Sequence, residues 1–304
     1  MKHAIQVKNL TKRYDNVLAV DDISFTVEQD SFFAFLGPNG AGKSTTINIL
    51  STLLEKNEGE IEILGHRLGK DDADIRKHIG VVFQTTMLDD LLTVRENLAV
   101  RGAFYQLDET TLLQRLDEIM QYIDIEPFLD QRYGKLSGGQ RRKADIARAL
   151  INWPDILILD EPTTGLDPKS RKDIWQLIAR LRHEKELTIF LTTHYMEEVV
   201  DANKVVILDG GRIVAQGSSE ELRLNYSSDR LKILPKQGMI ERLDMDKVPY
   251  YLVNDTINVE LDSCFDGLGL VETYKEHIQE FEILRGDMDD VFVNITGRTL
   301  EDAK

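Results

Sequence analysis

A lone cysteine, Cys264, stands in a chain of 304 residues. Neither a disulfide framework nor a cysteine metal cluster is available, which fits a reducing compartment. Basic residues are in deficit as well: 37 Lys and Arg against 53 Asp and Glu leave a formal charge of −16. Affinity for a phosphate backbone comes from clustered cations, so nucleic acid is not an expected partner. No run approaches the roughly 18 consecutive apolar residues of a membrane helix; the strongest, 156–159 and 205–208, are strand-sized. No apolar leader follows Met1 either, because residues 2–7 enter alternation directly, and the expectation is a cytosolic chain.

At this length one large domain with a smaller companion is expected. Residues 5–7, 23–27 and 32–36 have strand character and are separated by polar turns, an antiparallel start feeding a buried strand. Helix character follows at 44–54 and strand character at 59–64 and 80–83. Leu98, Leu112, Leu113, Leu116, Ile119, Met120 and Ile123 recur at helical spacing, which predicts a helical insertion over about 87–150. Strand-like runs at 155–160, 187–191 and 204–208, around a helix at 168–183, are the alternation of a mostly parallel sheet. The large domain is expected to span 1–225. The stretch 226–304 carries half of the net negative charge and has strand candidates at 250–253, 256–261 and 281–284 around a helix near 268–277. It reads as a small α+β domain.

Three segments carry chemistry. Gly37-Pro38-Asn39-Gly40-Ala41-Gly42-Lys43-Ser44, followed by Thr45, fits G-x-x-x-x-G-K-[ST] directly after a predicted strand. Its glycines let backbone N–H groups turn toward phosphate, and the next helix offers its positive end to the anion. Lys43 is placed for the β- and γ-phosphates and Ser44 for Mg²⁺. Next, Ile156-Leu157-Ile158-Leu159-Asp160-Glu161 delivers Asp160 to the carboxyl end of a buried strand, where it is a candidate for the Mg²⁺ shell. Glu161, one residue further out, is a candidate general base for an attacking water. Between these lies Leu136-Ser137-Gly138-Gly139-Gln140, whose hydroxyl and glycine N–H groups at a helix start are phosphate donors.

With these three segments in this order, the chain resembles the ABC-type ATPases, the nucleotide-binding subunits of ABC transporters, over about 5–224. The resemblance implies an α/β P-loop NTPase cassette: a mostly parallel core sheet, an antiparallel β subdomain and a helical subdomain. It implies ATP with Mg²⁺ as the bound species and hydrolysis as the reaction. In this family two cassettes pair head to tail, and the resemblance makes Ser137, Gly138, Gly139 and Gln140 contacts to the nucleotide of a second copy or a homologous cassette.

Single positions follow from the same resemblance. Tyr14 matches the aromatic residue that stacks on adenine, although a tyrosine packed in a β-turn would look the same. Gln84 matches the glutamine that senses Mg²⁺ and the water and connects the site to the membrane partner; a solvated strand end is the plainer alternative. Asp167, in Thr164-Gly165-Leu166-Asp167-Pro168, matches the dimer-seam loop, and Pro168 also suits the first turn of a helix. His194 matches the histidine that holds the γ-phosphate, Glu161 and the water.

The stretch 84–98 and the segment 289–298 are similar to the drug-resistance exporter group of ABC-2-type ATPases. That implies a separate multi-helix permease and a peripheral place on the cytoplasmic face of the cell membrane. The alternative is an ABC ATPase that drives a signalling or force-transmitting membrane complex without moving substrate. About a hundred residues between phosphate loop and signature leave no room for the long heptad insertion of a chromosome ATPase. One motif set excludes a two-cassette translation factor.

Overall fold

The computed structural model describes residues 2–297. Of these, 2–216 form one compact unit and 217–297 a second.

The first unit opens on a hairpin of β1 (His3–Tyr14) and β2 (Val17–Glu28), joined through Asp15, whose φ of 46° suits a short-side-chain turn residue. Both strands are far longer than 5–7 and 23–27. The reason is a pair of bulge-like positions, Asn9 (φ 50°) and Asp22 (φ 53°), linked by an Asn9 Nδ2 to Asp22 Oδ1 hydrogen bond of 2.8 Å. They break the alternation without ending the ladder. Then come β3 (Phe32–Leu36), α1 (Lys43–Leu50), β4 (Glu58–Ile63), β5 (His66–Arg67), α2 (Asp72–His78) and β6 (Ile79–Val82). Only Ile75 of α2 is buried, so that helix left no apolar period to read.

Within the predicted helical insertion lie α3 (Val94–Phe104), α4 (Glu109–Met120) and α5 (Gly138–Leu150), with Leu98, Leu116, Ile119 and Ile123 buried. After it follow β7 (Ile156–Asp160), α6 (Pro168–Lys185), β8 (Thr188–Thr193), β9 (Lys204–Asp209) and β10 (Arg212–Gly217). The six-stranded sheet runs β10-β9-β3-β8-β7-β6, with β9, β3, β8, β7 and β6 parallel. Every residue of β3, β7 and β8 is buried, as strands covered on both faces must be. The hairpin sheet, β2-β1-β4-β5, is antiparallel and meets the central sheet through aromatic rings. Phe25 of β2 has ring centroids 4.8 Å from Phe35 and 6.1 Å from Phe190, and Phe33 joins the same cluster. That seam fixes β2 beside the loop after β3.

The second unit contains α7 (Ser219–Tyr226), β11 (Asp229–Pro235), α8 (Met239–Asp246), β12 (Tyr251–Val253), β13 (Thr256–Leu261), α9 (Cys264–Tyr274), β14 (Ile278–Leu284) and α10 (Met288–Thr296). Its antiparallel sheet, β12-β13-β11-β14, turns Leu231, Ile233, Ile257, Val259 and Leu261 into a core with Met239 and Leu243 of α8 and Tyr274 of α9. Lys232, Glu260 and Glu282 are exposed. The division between units at 216/217 places α7 with this unit, where Asn294 of α10 donates to the carbonyl of Tyr226 at 2.9 Å. Of the segment 289–298, Arg298 lies outside the described residues.

Candidate functional site

Two tight approaches shape the loop between β3 and α1. Gly37 passes so close to the carbonyl oxygen of Leu208 in β9 that a Cβ would collide. Gly42 has φ of 99°, and a Cβ there would stand 2.6 Å from the carbonyl oxygen of Ala19 in β2. Both positions therefore need glycine. Pro38 and Ala41 are buried beneath the loop, while Asn39, Gly40 and Ser44 are exposed and Thr45 is half-buried. No side chain caps the start of α1 at Gly42, so its first N–H groups are available to an anion.

Lys43 is 4% exposed, and its Nζ donates to the carbonyls of Gly37 at 2.7 Å and Pro38 at 3.0 Å. It also lies 3.6 Å from Glu161 Oε1. Burial lowers its pKa, against the opposing charges of Glu161 and Asp160. At the end of β7, Asp160 accepts from Ser44 Oγ at 3.4 Å and from the Thr192 hydroxyl. Burial raises the pKa of Asp160 and those hydroxyl donors pull it back.

Glu161 follows in a left-handed conformation, φ 47°, which an L side chain rarely adopts. Its N–H donates to the Thr192 carbonyl at 3.0 Å, and this turn carries the carboxylate back over the loop. Oε2 accepts from Gln84 Nε2 at 3.1 Å and from Thr164 Oγ1 at 3.2 Å. His194 Nδ1 approaches Oε1 to 3.3 Å but lies off the hydrogen-bonding line, and this buried nitrogen has no hydrogen-bond partner. Behind Gln84, Arg142 of α5 donates to the carbonyls of Phe83 at 2.8 Å and Gln84 at 3.4 Å. Lys43, Ser44, Asp160, Glu161, Gln84 and His194, drawn from four stretches of the chain, form one contact group.

Ser44, Asp160 and Gln84 supply a hydroxyl, a carboxylate and an amide. Among the described residues no cluster of three His, Cys, Asp or Glu could hold a metal ion. The hard-oxygen donors here are too few for a protein cage and suit a cation that keeps waters and phosphate oxygens, as Mg²⁺ does.

The remaining predicted residues lie elsewhere. Ser137 caps α5: its side chain accepts from Gln140 N at 3.4 Å, and Gln140 Oε1 accepts from Ser137 N at 3.0 Å. Asp167 caps α6, accepting from Ser170 N at 3.0 Å and Ser170 Oγ at 2.6 Å. Gly139 abuts Ser170 with no room for a Cβ, and Gly138 faces Leu166. Ser137, Gly139, Gln140 and Asp167 thus line one surface crevice, with Lys143 and Lys169 on its rim. Tyr14, at the hairpin tip, is 44% exposed, with Lys12 Nζ 5.2 Å from its ring centroid. The sequence assigns no role to Thr164, although it opens the motif of Asp167, or to Ser170 and Thr192, because the partners of a single hydroxyl are set by the fold.

The ABC transporter family model matches residues 20–164. The Linearmycin resistance ATP-binding protein LnrL of Bacillus subtilis (strain 168) is 33% identical over 311 residues, covering 98% of this chain and 100% of the relative. The Nod factor export ATP-binding protein I of Rhizobium sp. (strain N33) is 40% identical over 332 residues, with 99% of each chain covered. Among solved structures, the ATP-binding cassette MJ0796, dimeric in a post-hydrolysis state with ADP and Pi, superimposes with a TM-score of 0.65 at 30% identity, covering 70% of this chain and 98% of that one. With phosphate loop, acidic strand end and histidine in one contact group, and relatives matched from end to end, the chain belongs to the ABC transporter family of ATP-binding proteins and is an ATPase of that family.

Proposed function

We propose that this chain powers an exporter: two cassettes close head to tail on ATP and Mg²⁺, hydrolysis reopens them, and a separate membrane permease follows the motion. One observation carries the hydrolytic part. Glu161 is held in a strained left-handed turn, with Gln84, Thr164, Lys43 and His194 all within 3.6 Å of its carboxylate. Strain retained at a buried carboxylate, at the mouth of a phosphate loop, is what positioning a water for in-line attack requires.

The roles divide as follows. Backbone N–H groups of 39–45 and the ammonium of Lys43 hold the β- and γ-phosphates, and Tyr14 stacks on the adenine. Ser44, Asp160 and Gln84 would hold Mg²⁺, which would supply neutralisation of phosphate charge when bound. Glu161 takes a proton from the attacking water as its oxygen bonds to the γ-phosphorus and ADP leaves. His194 steadies Glu161 and the γ-phosphate. Ser137, Gly138, Gly139, Gln140 and Asp167 meet the nucleotide of the opposite cassette, a second copy or a homologue. Their separation from the Lys43 group within one chain supports contact in trans.

Two further observations support an exporter with a separate permease. Relatives matched over their full length are named for drug resistance and for Nod factor export. Beside Gln84, a groove lined by Leu53, Phe83, Met87, Arg101 and Phe104 leaves Met87 60% and Phe104 75% exposed, an apolar surface that fits a protein partner. Among the described residues no helix is long and apolar enough to cross a membrane; in this reading the chain sits peripherally at the membrane, through that partner.

Mg²⁺-dependent ATPase assays test the reading. Glu161→Gln should retain ATP and accumulate a dimer while turnover falls by about 10² or more, in the range of general-base loss. Undiminished turnover in that variant would remove Glu161 from the role.

A further inference from the structure

Glu198 lies in the short turn Met196–Val199 after β8, 4% exposed, and among the described residues no cation pairs with it. Three donors converge on it instead. The Thr163 hydroxyl and Trp175 Nε1 (3.2 Å) donate to Oε1, and the Thr193 hydroxyl donates to Oε2 at 2.5 Å. Burial pushes its pKa up while these donors pull it down. A buried carboxylate that costs stability and binds no cation is retained for what it holds in place.

Each donor adjoins a working part of the site. Thr163 precedes Thr164, which donates to Glu161. Thr193 directly precedes His194, and its hydroxyl also accepts from the Tyr195 N–H at 2.9 Å, so the backbone is tied on both sides of the imidazole. Trp175 belongs to α6, the helix that Asp167 caps. Laterally, the Tyr195 ring stands 4.1 Å from the His194 ring, and the Arg171 guanidinium covers Tyr195 at 4.6 Å while pairing with Glu197 at 3.1 Å.

We propose that Glu198 is the positioning residue that sets His194 against Glu161, acting through Thr193 and Thr163 without touching ATP. The proposal rests on the hydrolytic roles given above to Glu161 and His194. Its logic is one of acceptor capacity. Gln at position 198 can keep the bonds from Thr163 and Trp175, but its amide then turns an N–H toward Thr193, whose oxygen already accepts from Tyr195. The Thr193 proton loses its acceptor, and the tie beside His194 slackens. Displacement of a reacting group by a fraction of an ångström costs turnover more than it costs binding.

Steady-state ATPase kinetics and ATP affinity on the purified full chain test this. Glu198→Gln should lower kcat roughly tenfold while KM and ATP affinity stay within about twofold. Thr193→Val should do the same and Thr193→Ser should restore turnover, so the proposal stays testable if Glu198→Gln does not fold. Added to His194→Ala, Glu198→Gln should lower the residual rate by less than about twofold, because the residue it positions is gone. Wild-type kcat in both Glu198→Gln and Thr193→Val would overturn the proposal, as would an undiminished tenfold loss in the His194→Ala background. If the wild-type chain is active and Glu161→Gln is dead, such a result overturns the role of Glu198 alone. If Glu161→Gln turns over like wild type, the hydrolytic reading itself fails.

Discussion

Asp160 is held where desolvation opposes its charge, at the end of a buried strand. Its folded pKa is raised by burial. The sign of the linkage follows: the stability tied to its proton is complete below the unfolded pKa, near 4, and is lost as pH rises through the folded value. Asp160→Asn keeps an oxygen for Ser44 and Thr192 but removes the charge. The variant should therefore melt higher than wild type without nucleotide, by a few degrees or about 1 kcal/mol, with an advantage that grows as pH rises from about 4 to 7, while losing Mg²⁺-dependent turnover. Thermal melts across that pH range check it. At this scale residue type at fixed spacing singles out Lys43, Ser44, Asp160 and Glu161, the family resemblance adds Gln84, and the structure brings the five together. Thr192 and Glu198 were not legible in the sequence, because a hydroxyl or a carboxylate becomes a positioning group only through partners that the sheet brings together.

Among the elements, α5 has two tasks. Its first residues form the crevice around Ser137, and one turn further on Arg142 grips the carbonyls of Phe83 and Gln84. Arg142 thereby ties this helix to the backbone that carries Gln84, whose side chain donates to the carboxylate of Glu161. Ser137 also caps the helix, so an Ala variant mixes about 1 kcal/mol of lost capping with any lost phosphate contact. Ser137→Asp separates the two. Asp caps as well as Ser, so the melting temperature should stay within about two degrees, yet a carboxylate facing phosphate should abolish the ATP-driven dimer. Size-exclusion profiles with ATP in a Glu161→Gln background read the outcome. Long, periodic elements such as α6 were legible from apolar spacing. The hairpin was underestimated because Asn9 and Asp22 look like strand ends and act as bulges, and α2 escaped because it buries a single residue.

At the scale of the molecule the two compact units divide at 216/217, nine residues before the change in charge that marked 226 in the sequence. Composition records solvent-facing chemistry, whereas the division follows packing, and α7 packs with α10. A chain ended after Gly217 should stay monodisperse and bind ATP. One ended after Tyr226 carries α7 without α10 and should self-associate, as light scattering would show.

The separation of the Ser137 crevice from the Lys43–Glu161 group also has a genetic meaning. In the proposed head-to-tail pair, each copy contributes one half to each of two reaction centres. In a pair of identical chains, a Ser137 lesion in one copy and a Glu161 lesion in the other fall on the same centre and leave the second intact. Two alleles that are each inactive alone should therefore rescue one another when expressed together, and two alleles both altered at Glu161 should not.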